Sequence, residues 1–194
     1  NPQRVSQQRT NGNARDIYVQ GNYAYITLEA NWLAIIDISN PSELKLIGTY
    51  NPSGDDSTIS VFVLDKYAYI TLNKINKKSV LQIIDVSNPS SPRFISESQI
   101  SSFGNKIEVV ENNNARYAYI ADWGVGGVTI IDVTNPLNPI SPKSITIGDV
   151  KPMGIDVSDG LMFLAASQES GFFAGPLGEN GYLALFDNLN DPKT

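Results

Sequence analysis

Four times along the chain, a short alternating segment is followed by a run that is apolar on both of its faces. Tyr23-Ala24-Tyr25-Ile26-Thr27 precedes Leu33 to Pro41, which reads LAIIDISNP. Tyr67-Ala68-Tyr69-Ile70-Thr71 precedes LQIIDVSNPSSP from Leu81 to Pro92, and Tyr117-Ala118-Tyr119-Ile120-Ala121 precedes GVTIIDVTNPLNP from Gly127 to Pro139. An eroded copy pairs Leu161-Met162-Phe163-Leu164-Ala165 with Leu183-Ala184-Leu185-Phe186-Asp187. Side chains alternate along a strand. One face of the second run therefore carries Leu33, Ile35 and Asp37, or Leu81, Ile83 and Asp85, or Val128, Ile130 and Asp132. The other face carries Ala34, Ile36 and Ile38, or Gln82, Ile84 and Val86, or Thr129, Ile131 and Val133. Apolar residues on both faces predict sheets covered on both sides, as when sheet packs on sheet.

The shared aspartate recurs at spacings of 48 (Asp37 to Asp85), 47 (Asp85 to Asp132) and 55 (Asp132 to Asp187). A period of about 47 residues with four short strands per unit predicts an all-β fold, a β-propeller of four-stranded blades. The chain reads as a single domain, 1–194, with blades near 14–50, 60–98, 106–147 and 154–188. The last blade lacks a fourth strand; Arg4–Gln8 is a possible closing strand, which would complete it and remove an open edge. The same phase also suits four consecutive blades of a larger ring. Asn1-Pro2 is in register with Asn40-Pro41, so the chain is expected to begin inside a repeat of a processed or longer protein.

Composition narrows the chemistry. There are 20 acidic and 14 basic residues, a net charge of −6 and a pI near 4.6. Such a surface repels a phosphate backbone, so nucleic acid is not an expected partner. No apolar run reaches the roughly 18 residues of a membrane-spanning helix. Cysteine and histidine are both absent, which removes disulfides, thiolate chemistry, cysteine- or histidine-bound zinc and any triad with a histidine base. No cofactor and no metal site is expected.

The segments YAYI and GVTIIDVTNPLNP resemble the LVIVD repeat family, whose units carry an AYV, then IIDVSNP, pattern. The resemblance covers almost the whole chain. It departs at Leu44, where a second proline would stand, and in the fourth unit, which has lost Tyr-Ala-Tyr. It implies a bacterial or archaeal propeller at an extracellular or cell-surface location and brings no catalytic motif with it.

Asp37, Asp85, Asp132 and Asp187 are the repeated polar residues. They are expected to be structural, each accepting backbone N–H groups of the turn that follows. Calcium binding would need them to converge, and one per blade keeps them apart. Gly124, Gly126 and Gly127 are expected to form a hairpin rather than a phosphate cradle, since no helix follows. Loops on a rigid scaffold are where binding concentrates. In an up-and-down blade one end gathers Glu29–Trp32, Asn73–Ser79, Trp123–Gly126 and Ser167–Gly181. The connections 51–58, 99–105 and 148–153 join them there. Trp32, Trp123, Phe172 and Phe173 fall at that end and are the candidate contact residues.

The expected function is a non-enzymatic extracellular or cell-surface module that binds a protein partner or assembles with itself. One alternative is a propeller that binds carbohydrate or hydrolyses glycans with carboxylates. Another is a structural subunit of a surface layer or filament.

Overall fold

The computed structural model describes residues 2–10, 12–29, 32–51, 57–74, 78–112, 114–158, 161–167 and 181–186. Within them the apolar alternation forms antiparallel sheets whose strands follow chain order. The first sheet holds β1 (Ala14–Gln20), β2 (Tyr23–Leu28), β3 (Trp32–Asp37) and β4 (Lys45–Tyr50). The second holds β5 (Ser57–Leu64), β6 (Tyr67–Asn73), β7 (Val80–Asp85) and β8 (Arg93–Gln99). The third holds β9 (Gly104–Asn112), β10 (Ala115–Asp122), β11 (Gly127–Asp132) and β12 (Ile140–Thr146). The fourth holds β13 (Lys151–Ser158), β14 (Leu161–Ser167) and β15 (Gly181–Phe186). The inner strands meet in succession, β1 against β5, β5 against β9 and β9 against β13. The architecture is all-β and propeller-like.

Three apolar clusters join sheet to sheet. Tyr25, Leu33 and Ile35 on the trailing face of the first sheet pack on Val61, Val63, Ile70 and Ile84 of the second. Tyr69, Leu81 and Ile83 pack on Ile107, Val109, Ile120 and Ile131 of the third. Tyr119, Val128 and Ile130 pack on Ile155, Met162 and Leu164 of the fourth. Residues 33–36, 80–84 and 127–131 are consequently buried along both faces of β3, β7 and β11. Each fully buried Ile or Leu contributes on the order of 1.5–3 kcal/mol, so these seams dominate the stability.

The turns after β3, β7 and β11 are built twice over by side chains. Asp37, Asp85 and Asp132 accept the N–H of Ser39, Ser87 and Thr134 at 2.8, 2.9 and 3.0 Å. Three residues further on, Asn40, Asn88 and Asn135 accept the N–H of Ser42, Ser90 and Leu137. These turns then dock on the outer strand of the sheet before. The Ser96 hydroxyl of β8 donates to the Pro136 carbonyl at 2.6 Å. The equivalent residue of β4 is Gly48, opposite Ile35 as Ser96 is opposite Ile83. A Cβ there would collide with the Pro89 carbonyl.

The expected closing strand differs from what is seen. Residues 2–10 form no strand, and the fourth sheet has three strands among the described residues. Residues 2–10 instead lie at the Asn-Pro turn of the first sheet, where the Ser6 hydroxyl donates to the Pro41 carbonyl. That repeats the contact of Ser96 with Pro136. A strand pairing needs regular N–H and C=O partners, and this segment is held by a side-chain bond instead.

The two equivalent outer positions give a stability test. Gly48→Ala should cost about 1–3 kcal/mol, because the Pro89 carbonyl must move. Ser96→Ala should cost only about 1 kcal/mol, the worth of one hydrogen bond. Urea unfolding midpoints check both values, and equal effects would contradict the close approach.

Candidate functional site

Every inner strand carries a bulge at the same register, and the bulge aims its side chains. Pairing skips one residue between Ala14 and Asp16, Thr58 and Ser60, Gly104 and Lys106, and Pro152 and Gly154. Bulges re-aim side chains in this way. Past the bulge, Asp16, Ser60, Lys106 and Gly154 are equivalent, lying opposite Thr27, Thr71, Ala121 and Ala165. Two residues on, Tyr18, Phe62, Glu108 and Asp156 form the next level.

The first level is a bonded chain across three sheets. Lys106 Nζ stands 3.0 and 2.9 Å from the two Asp16 carboxylate oxygens. The Ser60 hydroxyl donates to Asp16 Oδ2 at 2.6 Å and accepts the Ile107 N–H at 3.2 Å. The N–H groups of Val61 and Ile17 complete the Asp16 carboxylate at 3.1 and 3.0 Å. A partly buried ion pair with its remaining lone pairs satisfied fixes register between elements.

The second level is aromatic and acidic. The Tyr18 and Phe62 rings lie 4.5 Å apart, tilted by 47°. Burial raises the Tyr18 hydroxyl pKa, with Glu108 adding to the rise. Burial also pushes the Glu108 carboxyl up to about 7. The Lys106 charge opposes that shift, and Asp156 and Asp16 add to it. Carboxyls tuned towards neutrality mark candidate sites for proton transfer or ligand binding. Among the described residues no group of acidic side chains has an arrangement that could hold a metal ion.

At the loop end, Trp123 follows β10 in a short 3-10 turn, Trp123–Val125. The buried Asp122 carboxylate organises this turn, accepting from the Gly124 and Ser101 N–H groups and the Thr129 hydroxyl. Gly126 ends it at φ +59°, where a Cβ would also strike the Gly148 carbonyl. Trp123 keeps 41% of its surface exposed. Phe103 lies 5.9 Å from it between ring centroids, and Lys151 Nζ sits 5.2 Å over its ring. Exposed Phe103 and Met153 extend the patch, and Asn105 ties it down by donating to the Pro152 carbonyl at 2.8 Å.

Trp123 is thus placed in an exposed cluster. Trp32 opens β3 opposite Leu28, and its side chain lies outside the described residues, as do Phe172, Phe173 and Asp187. Asp37, Asp85 and Asp132 sit in their turns, bonded to Ser39, Ser87 and Thr134. Bonds from the Ser39 side chain and backbone lower the Asp37 pKa. Bonds from Ser87, with the Arg93 guanidinium, lower Asp85 to about 2.

Sequence reasoning passed over Phe103, Lys151 and the axial Asp16, Lys106, Glu108 and Asp156. The available signal was parity. Asp16, Ser60 and Lys106 each precede the apolar Ile17, Val61 or Ile107, yet the polar residue changes from unit to unit and the fourth unit has Gly154 there.

Residues 11–52, 55–98 and 106–146 each match the LVIVD repeat. The chain belongs to the LVIVD repeat family. No curated protein matches the chain by sequence. Among solved structures, the computationally designed Ika4 protein is similar at a TM-score of 0.58 and 8% identity, covering 97% of this chain and 99% of that one. The periplasmic gluconolactonase PpgL of Pseudomonas aeruginosa is similar at a TM-score of 0.67 and 12% identity, covering 98% of this chain and 61% of that one. An exo-β-1,3-galactanase of Phanerochaete chrysosporium gives 0.62 and 14%, covering 96% of this chain and 49% of that one. At such identities the likeness shows the fold alone, that of an LVIVD-repeat protein with propeller-like neighbours.

Two outcomes test the axial cluster. Asp16→Ala should cost about 2 kcal/mol or more, because Lys106 is left without its partner. Pairing a Leu at position 16 with Lys106→Met should recover much of that loss, read by chemical denaturation. The second test is pH. Glu108 binds its proton more tightly folded than unfolded, with a pKa of about 7 against an ordinary 4.5. Its contribution is therefore fully present below pH 4.5 and is lost as pH rises through 7. The wild type should lose stability across that window, whereas Glu108→Gln should show a flatter profile. Identical slopes in the two proteins would contradict the assignment.

Proposed function

We propose that this LVIVD-repeat protein is a non-enzymatic binding module at the cell surface or outside the cell, holding a protein partner on its loop end. The observation that carries the reading is the cluster of exposed Trp123 and Phe103 with Lys151 over the indole. Aromatic residues on a rigid support dominate interface energies, and an adjacent cation suits an acidic or aromatic partner segment. Asp122 and Gly126 hold the indole in place, so little ordering entropy remains to oppose binding. Finer architecture belongs to the same proposal: the repeats act as blades of a propeller, with the seams described above as blade interfaces.

A second reading rests on a different observation, the neutral-range Glu108 carboxyl coupled to Asp156 and Tyr18, with Phe62 against the Tyr18 ring. Carboxylates and aromatic rings are the equipment of glycan binding and hydrolysis, and one structural neighbour is described as a galactanase. Loss of turnover on a polysaccharide panel in Glu108→Gln, with Trp123 variants unaffected, would favour it.

The test of the leading reading begins with the partner isolated from the native extracellular fraction and reconstituted pure. The double change Trp123→Ser with Phe103→Ser should raise Kd at least about tenfold, ~1.4 kcal/mol. The unfolding midpoint should stay near the wild-type value, because both rings are exposed. Unchanged affinity of the purified partner would refute the loop-end site.

A further inference from the structure

We propose that the groove between the outer strands of the second and third sheets binds a hydroxylated anionic ring, in chemical class a sugar carboxylate. The groove is built from residues outside both the aromatic patch and the axial cluster, and the proposal stands independently of the readings above.

The seam between the first and second sheets serves as a control. There Tyr50 of β4 pairs with Leu33 and packs against the apolar cluster, and its hydroxyl donates to Gln82 Oε1 at 3.0 Å. Phe94 of β8 follows Arg93, the partner of Asp85. In the next seam the equivalent of Tyr50 is Ser98, which pairs with Leu81. The equivalent of Phe94 is Ser141, which follows Ile140, the partner of Asp132. Serines thus stand at one seam where aromatic rings stand at the other. Ser98 and Ser141 both line a cavity of about 380 Å³, within the range of small-molecule sites. Every residue of its walling strands, β8 and β12, is among the described ones.

The lining sets the chemistry of the ligand. Lys78 faces the same cavity and, like Ser98 and Ser141, makes no side-chain bond among the described residues. Glu97, the acid of the lining, is held by Lys74 at 3.5 Å and by Gln82 Nε2 at 3.2 Å. It therefore does not neutralise the Lys78 ammonium, a compact charge suited to an anion. Ser101 adds a third hydroxyl. Its Oγ lies 3.5 Å from that of Ser144, which lies 3.4 Å from Thr129 Oγ1, and Thr129 donates to the buried Asp122 carboxylate at 2.7 Å. The Thr129 proton is committed to the carboxylate, and the two longer contacts exceed strong O–H···O distances. Ser101 consequently keeps bonding capacity for a ligand. Pro139, Pro142 and the buried Ile100 supply aliphatic wall.

Three hydroxyls, one ammonium and aliphatic surface, at a place filled by rings in the neighbouring seam, match a pyranose that carries a carboxylate. The serines take its hydroxyls, Lys78 takes its charge, and the prolines pack on its C–H face. The net charge of −6 opposes any anion at long range, so Lys78 alone does not suffice and the ring contacts must contribute.

Amide chemical-shift titration of the whole chain tests the idea with sodium glucuronate, methyl glucoside and sodium acetate. Glucuronate should shift the amides of Ser98, Ile100, Ser101 and Ser141 along one saturable curve. Methyl glucoside should move the same amides with a Kd at least about tenfold higher, and acetate should not saturate. Lys78→Gln should raise the glucuronate Kd about tenfold, ~1.4 kcal/mol, and remove the preference over methyl glucoside. Ser98→Tyr with Ser141→Phe, which restores the rings of the neighbouring seam, should abolish binding. Shifts confined to other residues, no response to glucuronate, an unchanged Kd in Lys78→Gln, or acetate saturating as tightly as glucuronate would each overturn the proposal. The wild-type titration decides the matter even if the refilled variant fails to fold.

Discussion

Burial of one sheet's apolar face by the next is the constraint on which this molecule depends. A single antiparallel sheet of this size is marginal by itself, and β3, β7 and β11 are apolar on both faces. Exposed to water, either face would lose its hydrophobic contribution and invite aggregation. The turn after each third strand and the bulge in each inner strand serve this packing. The turn folds tightly on Asp and Asn side chains so that it can reach the preceding outer strand. The bulge sets Asp16, Ser60 and Lys106 at one register, where they bond across three sheets.

The polar residues at the axis follow from the same geometry. Several trailing-face positions of the inner strands, Asp16, Tyr18, Phe62 and Glu108, are only partly buried. Asp16, Ser60 and Lys106 satisfy one another there across three sheets. One level away, burial outweighs the Lys106 charge at Glu108, which holds its proton to higher pH. The inner strands of the stacked sheets thus bring Asp16, Ser60 and Lys106 into one polar cluster beside the apolar seams.

Much of the fold was legible because it repeats. Leu33-Ala34-Ile35-Ile36 and its copies announce two covered faces, and Asp37, Asp85 and Asp132 announce their turns. The alternating segment from Tyr23 and the doubly apolar run from Leu33 are β2 and β3 of the first sheet. The candidate site was less legible. Asp16, Ser60, Lys106 and Gly154 occupy one structural position with four different side chains, so no recurrence exposes them. Phe103 stands in a connection whose counterparts at 51–58 and 148–153 carry no aromatic residue, and only its spatial approach to Trp123 gives it meaning. The uncovered Ile17 was hidden for the opposite reason: it matches Val61 and Ile107 so well that sequence alone places it in the core.

Amide hydrogen exchange followed strand by strand tests the sheet-on-sheet account most directly. If mutual burial holds the sheets together, the amides of β7 and β11, covered on both sides, should exchange slowest and share one opening free energy close to that of global unfolding. Those of β1 should exchange faster, since its Ile17 and Val19 are exposed. Exchange in β7 and β11 at loop-like rates, or at two unrelated opening energies, would contradict the account.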